Sequence, residues 1–237
     1  MNKTLVVCAW LTCVSLTISA QVSSLMDQDQ RGVVLAAGVQ AGKDFNGYTC
    51  NLGWAINGRF DIEANIMHTS FNTDNQYTYD GVSNELEGLV TWWMIRQPLN
   101  RSLTLDLGLK AGLEKNHYDM YSYWTKDSEG NNDKFYTYNG CMGGKLGLDL
   151  VMSCWLTEQL FIQPFATCFG ELGESYQQNE GGIDETISFT RITGRIGLAL
   201  VKQLPDNSAC FIKPNILLNT LNLPVCYNLT AGYIITF

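Results

Sequence analysis

Residues 102–114 read SLTLDLGLKAGLE. Leu103, Leu105, Leu107, Leu109, Ala111 and Leu113 occupy alternate places, with Ser102, Thr104, Asp106, Gly108, Lys110, Gly112 and Glu114 between them. Successive side chains of an extended strand point to opposite faces, so this stretch is a strand with one apolar face and one polar, partly charged face. Whether the apolar face meets a protein core or hydrocarbon decides the fold.

The pattern recurs along the chain. In 32–42, Val33, Leu35, Ala37, Val39 and Ala41 share one side; in 48–56, Tyr48, Cys50, Leu52, Trp54 and Ile56 do the same. Asn57-Gly58 then signals a two-residue hairpin. In 59–71, Phe60, Ile62, Ala64 and Ile66 oppose Arg59, Asp61, Glu63 and Asn65; in 84–95, Leu86, Val90, Trp92 and Met94 oppose Glu85, Glu87 and Thr91. Past the opening stretch, Leu146, Leu148, Leu150 and Met152 oppose Lys145, Gly147, Asp149 and Val151. Residues 159–171 alternate less cleanly, and in 185–201 Ile187 and Phe189 fall out of phase with Ile192, Ile196, Leu198 and Leu200, which predicts a bulge near Thr190. Residues 209–219 and the final run CYNLTAGYIITF complete ten candidate strands. The links at 43–47, 72–83, 115–139, 172–184 and 220–225 include three long loops, whereas those at 57–58, 97–101, 155–158 and 203–208 are all short. An up-and-down meander with one decorated rim produces this sorting.

The polar faces collect Arg59, Asp61, Glu63, Glu85, Glu87, Asp106, Lys110, Glu114, Lys145, Asp149, Glu171, Arg191, Arg195 and Lys213, eight acids and six bases. Such residues are rarely buried without partners, so a soluble barrel would turn them outward and crowd leucine inside. The opposite arrangement sets the apolar faces in hydrocarbon, closes every strand edge, and leaves the charges in a lumen where opposite signs pair. Strands of about 9–11 residues suffice to cross a bilayer when tilted. The expected fold is all-β, a transmembrane antiparallel up-and-down β-barrel of ten strands spanning 32–237, with Trp54, Trp92, Trp155, Tyr227, Tyr233 and Phe237 near the headgroup levels. A secreted soluble β protein is the alternative.

The first twenty residues, MNKTLVVCAWLTCVSLTISA, carry Lys3, an uncharged stretch and small residues at Ser19 and Ala20. They are expected to be a secretory signal peptide cut after Ala20, or after Ser19, followed by a flexible segment at 21–31. With 15 Lys+Arg against 23 Asp+Glu, the acidic chain does not suit general nucleic-acid binding. Cys50, Cys141, Cys154, Cys168, Cys210 and Cys226 are irregularly spaced, with no CxxC pair and no cysteine–histidine cluster. Free, partly buried thiols are expected, with one or two disulfides left open, and neither a metal site nor a cofactor is indicated.

Taken together, the leader, the alternating strands, the short turns at one end and a terminal phenylalanine resemble Gram-negative outer-membrane β-barrels. The final strand of that class commonly ends in an aromatic residue preceded by apolar residues at every second place, as Tyr233, Ile235 and Phe237 do here. The resemblance, over about 31–237, implies the cell outer membrane as location, outer-membrane lipid as surroundings, and insertion by the barrel assembly machinery.

Three activities are compatible with such a barrel. The first is a scaffold with a salt-bridged lumen, in which Arg191 and Arg195 could face Asp106, Glu85 or Glu87, and whose external loops contact a surface or an unidentified external ligand. The loop 115–139 offers Tyr118, Tyr121, Tyr123, Trp124, Phe135, Tyr136 and Tyr138 for that contact, or for extending the hairpin above the membrane. The second is a narrow cation-favouring pore, with Gly38, Gly42, Gly53, Gly108, Gly112, Gly147 and Gly197 leaving interior room or relieving crowding in a filled barrel. The third is a membrane-embedded hydrolase drawing on His68, His117, Ser70 and Asp61 or Asp119, although no known catalytic motif is present and no catalytic residue is assigned.

Overall fold

The computed structural model describes residues 31–42, 45–72, 79–126, 132–179, 184–219 and 226–237. The expected leader at 1–20 lies outside them, as does all of the expected segment 21–31 except Arg31. The described strands are β1 (Gly32–Gly42), β2 (Phe45–Ile56), β3 (Phe60–Asn72), β4 (Tyr79–Asn100), β5 (Leu103–Lys126), β6 (Asn132–Trp155), β7 (Leu160–Asn179), β8 (Asp184–Gln203), β9 (Ala209–Asn219) and β10 (Cys226–Thr236). Each pairs antiparallel with its neighbours in sequence, and β1 pairs with β10 to close the barrel. The closing register runs from Gly32 opposite Thr236 to Ala41 opposite Tyr227, which leaves no strand edge unpaired at the seam.

The alternation that decided the fold has its apolar side outward. Leu52, Ile66, Leu86, Leu113, Leu146, Leu172, Ile192, Ile212 and Leu229 are all exposed, and together they ring the barrel. A contiguous apolar surface of that extent does not persist in water. Leu148 and Ile235 are 50% and 46% exposed, while Asp106, Lys110 and Asp149 are at most 2% exposed. Trp54, Trp92, Tyr227, Tyr233 and Phe237 also face outward, but Trp155 is only half-exposed and packs on Phe161 with ring centroids 4.5 Å apart.

The described turns at 57–59, 101–102, 156–159 and 204–208 gather at the end that carries Arg31 and Phe237. In an outer-membrane barrel the short turns mark the periplasmic end. Asn57 (φ 52°) and Gly58 (φ 58°) take the left-handed conformation the Asn-Gly pair predicted, but Ile56 pairs with Phe60, so the connection has three residues, 57–59, where two were expected. At 204–208 the Ser208 hydroxyl and backbone N–H donate to Asp206 Oδ1 at 2.5 and 3.2 Å, holding its carboxyl below the usual range. Tyr233 donates to Ser208 Oγ at 2.6 Å, and the Phe237 N–H donates to the Arg31 carbonyl at 3.0 Å, so the last strand is tied into this rim.

At the opposite end the expected loops are shorter than the sequence suggested. Most of 115–139 continues β5 and β6, and parts of 72–83 and 172–184 continue β4, β7 and β8. Polar residues there do not end the strands, because backbone pairing continues above the bilayer, where the outward face meets water. The same change of surroundings explains Ile187 and Phe189. The β7–β8 register runs unbroken through Thr190 opposite Leu172, so there is no bulge at that position. Outside the hydrocarbon Thr186, Ser188 and Thr190 face outward, and the apolar residues take the inner face. Register shifts occur instead in β4–β5, between Trp93 and Ile95 and between Pro98 and Asn100, and in β5–β6 between Tyr123 and Thr125. Strands β4 to β8 have 20 to 24 residues and the other five have 11 to 13, so one side of the barrel stands taller than the other.

Candidate functional site

The inward face is layered. At the end with the short turns Val34, Ala55, Phe161, Ala199, Val201, Phe211 and Ile234 form a dry apolar cluster. Trp93, Val151 and Phe165 pack above it, and toward the far rim lies a smaller cluster of Phe45, Met67 and Cys226 with Leu217. Several predicted glycines make this filling possible. A Cβ on Gly147 would stand 2.6 Å from Phe169 Cδ1, one on Gly197 2.4 Å from Phe165 Cζ, and one on Gly112 2.4 Å from Leu89 Cδ2. These positions hold neighbouring side chains instead of open channel.

Charges occupy the middle. Lys110, fully buried on β5, reaches across Thr91 of β4 to Glu63 Oε1 on one side and Asp149 Oδ2 on the other, both at 3.1 Å. Thr167 donates to Asp149, and Trp93 Nε1 donates to Asp61 at 2.9 Å. Farther from the short turns Lys145 lies 2.9 Å from Glu87, 2.6 Å from Glu114 and 3.7 Å from Glu171. Arg191 Nη2 donates to Glu114 at 2.9 Å, its Nε donates to Glu171, and Thr193 donates to Glu171 at 2.6 Å. Asn65 Nδ2 donates to Glu87 at 2.7 Å and Asn116 Nδ2 to Glu85 at 3.1 Å. Lys213 Nζ sits 4.1 Å above the Phe165 ring, and Arg195 is buried on β8. Such pairing is what buried charge requires, since each ion removed from water must regain its solvation from neighbours.

Thirteen of the fourteen charged residues drawn from the sequence thus lie buried in one lumen. The exception is Arg59, which is exposed in the β2–β3 turn. That position precedes the strand, so the alternation there carries no information about the inside. The sequence paired Arg191 with Asp106, Glu85 or Glu87; register pairs it with Glu114 and Glu171. Asp106 meets Arg96 at 3.5 Å, and Arg96 also donates to the Gly58 carbonyl at 2.8 Å. Sequence reasoning missed Arg96 because the β4 shift between Trp93 and Ile95 resets the phase, and no local residue pattern announces that. It also passed over Trp93, Asn116, Thr167 and Thr193. All four keep the two-residue phase of the charged positions, a signal that was available.

The histidines are elsewhere. His68 faces outward, stacked on Tyr48 with centroids 4.9 Å apart, and its Nδ1 lies 2.9 Å from Asn84 Oδ1. Asp61 lies on the opposite face of the same strand, inside the lumen, so β3 does not bring Asp61 together with His68 and Ser70. The Asp119 side chain lies outside the described residues, as do those of Tyr118, Tyr121, Tyr123, Trp124, Phe135, Tyr136 and Tyr138, whose backbones belong to β5 and β6. The six cysteines are unpaired: Cys141 and Cys226 are buried, Cys154 is half-buried, and Cys50, Cys168 and Cys210 are exposed.

A closed ten-strand meander with an apolar exterior and an interior lined with ionisable side chains is the outer-membrane β-barrel fold. Solved structures of that class share it. The translocator domain of the autotransporter NalP from Neisseria meningitidis matches with a TM-score of 0.51 and 11% identity, over 91% of this chain and 91% of that one. The beta domain of the Bordetella autotransporter BrkA matches at 0.50 and 13%, over 88% and 100%. The outer membrane protease OmpT from Escherichia coli gives 0.49 and 11%, over 93% and 99%. At these identities the likeness is one of fold. No protein-family model and no characterised protein sequence matches the chain.

Proposed function

We propose that this chain is an outer-membrane scaffold, sealed along its axis, whose tall β4–β8 wall presents an external contact surface. The observation that carries the reading is the filled lumen. The charged side chains through its middle, Arg96 apart, are at most 4% exposed, the apolar clusters are largely buried, and bulky residues occupy the space above its glycines. A conducting channel needs a continuous wet path with weak binding along it, whereas these charges are bound to one another. Taller strands on one side, with aromatic residues along β5 and β6, suit a surface that engages something outside the cell. Export by a secretory leader at 1–20 and docking of Tyr233, Ile235 and Phe237 on the assembly machinery belong to the same reading.

The test has two arms. In planar bilayers the folded protein is expected to show no steady single-channel conductance; a stable cation-favouring conductance would replace this reading with the pore. On cells, trimming β5 and β6 at 118–138 to a short hairpin is expected to abolish surface contact while leaving heat-dependent gel migration intact.

A further inference from the structure

The outer wall carries a groove on the short side of the barrel. Register sets Pro214, Leu229, Val39, Tyr48 and His68 directly opposite one another from β9 to β3, all outside the lumen. A second outward row, nearer the far rim, holds Ile196, Ile216, Tyr227, Ala41, Asn46 and Ser70. Between the rows lies the backbone of Gly197, Asn215, Asn228, Gln40 and Gly47. The side chains of Asn215, Asn228 and Gln40 turn inward and are buried, so only main chain forms the floor. These residues line one concavity of about 1180 Å³. Rows two residues apart leave a trough roughly 7 Å wide, and six adjacent strands give it a length of about 24 Å. One extended hydrocarbon chain fits those dimensions.

The two ends of the groove differ in height and in chemistry. Ile196 and Ile216 lie closer along their strands to the turn at 204–208 than Ser70 does to the turn at 57–59, so the groove climbs toward the far rim as it passes from β8 to β3. Its low end is apolar, with Ile196, Leu198, Pro214 and Ile216; its high end carries Asn46, Tyr48, His68 and Ser70. His68 Nδ1 lies 2.9 Å from Asn84 Oδ1, an acceptor, so the neutral ring keeps its proton on Nδ1 and leaves Nε2 to accept. Asn46 and Ser70, directly opposite each other, bring an amide and a hydroxyl that donate. That order of groups matches a lipid of the outer leaflet, head at the rim and tail running down into hydrocarbon. The tail alone gives no preference over surrounding lipid, because neighbouring tails are equally apolar. Selection therefore comes from the polar end acting together with the trough.

We infer that this groove is a binding site for one outer-leaflet lipid, its acyl chain along the trough and its headgroup, bearing both a hydroxyl and acceptor oxygens, on His68, Asn46 and Ser70. The site is on the outer wall and is independent of whether the lumen is sealed. The experiment is native mass spectrometry of the folded barrel released from detergent after titration with dipalmitoylphosphatidylglycerol, dipalmitoylphosphatidylcholine and dihexanoylphosphatidylglycerol. One dipalmitoylphosphatidylglycerol retained per barrel is expected. The choline lipid, which has no headgroup hydroxyl for Nε2, and the short-chain lipid, which cannot fill the trough, are each expected to be retained at least severalfold less; this comparison needs no variant. Asn46→Leu with Ser70→Ala removes the donors and is expected to weaken retention about tenfold. Val39→Trp with Ala41→Trp brings rings over the floor from both rows and is expected to abolish it. Ala64→Trp, outward on β3 but outside the groove, is expected to change nothing. All these positions face outward, and heat-dependent gel migration reports that each variant is folded. Equal retention of the three lipids, or retention unchanged in either double variant, would overturn the inference. So would paired barrels that separate in Val39→Trp with Ala41→Trp, since the groove would then be an interface between copies of the chain.

Discussion

Replacing Lys110 with methionine tests the sealed lumen directly. Its ammonium is fully buried and holds Glu63 and Asp149 at 3.1 Å each. At an effective dielectric of about 20, each contact is worth about 5 kcal/mol of Coulomb attraction. Several kcal/mol of lysine desolvation stand against that gain, and the measured consequence of removing one partner from a buried pair is about 3–5 kcal/mol. Lys110→Met is therefore expected to destabilise the barrel by about 3–5 kcal/mol, because it strands two carboxylates in a dry interior. Adding Glu63→Gln and Asp149→Asn to the same chain removes the stranded charge, and the triple variant is expected to recover most of the loss. The assay is urea unfolding of the barrel refolded into lipid vesicles, followed by tryptophan fluorescence and by heat-dependent gel migration. A change below about 1 kcal/mol for Lys110→Met would mean that water already solvates Glu63 and Asp149. In that case the lumen is wet and the argument for a sealed scaffold fails.

Other consequences are independent of that one. Leu148→Arg puts a charge on the lipid face and is expected to cost about 2–4 kcal/mol near the bilayer midplane; vesicle unfolding measures it, and indifference would speak against hydrocarbon at that position. Gly147→Val forces a side chain against Phe169 and the Cys168 carbonyl and is expected to destabilise by about 1–3 kcal/mol or more in the same assay. Asp206→Ala frees the 204–208 turn, read as faster amide exchange at Ser208. Because Ser208 lowers the Asp206 pKa in the folded chain, the wild-type advantage is full above the ordinary value of 3.8 and fades as pH falls through the depressed folded value. Phe237→Ala is expected to reduce the membrane-inserted fraction in cells while barely changing the unfolding midpoint of refolded protein; a large midpoint shift would give Phe237 a structural role in place of recognition.

The sequence by itself determined which side of most strands is greasy, β7 excepted, where Phe161, Phe165 and Phe169 make the inner face apolar too. Alternation is local: Leu103 to Glu114 divide into two faces wherever the strand lies, so the barrel, its meander order and most lumen residues could be read directly. Only the tertiary structure decided what those residues do to one another. Lys145 and Glu87 are 58 residues apart and Arg191 and Glu114 are 77 apart, and no local pattern encodes such distances. Their meeting depends on the register accumulated strand by strand around a closed ring, including a shift in β4 that turns Arg96 toward Asp106. The height of the β4–β8 wall was hidden for a related reason. Above the bilayer the same two-residue period continues with its polarity reversed, as at Phe189, because the surrounding solvent changes while the backbone pairing does not.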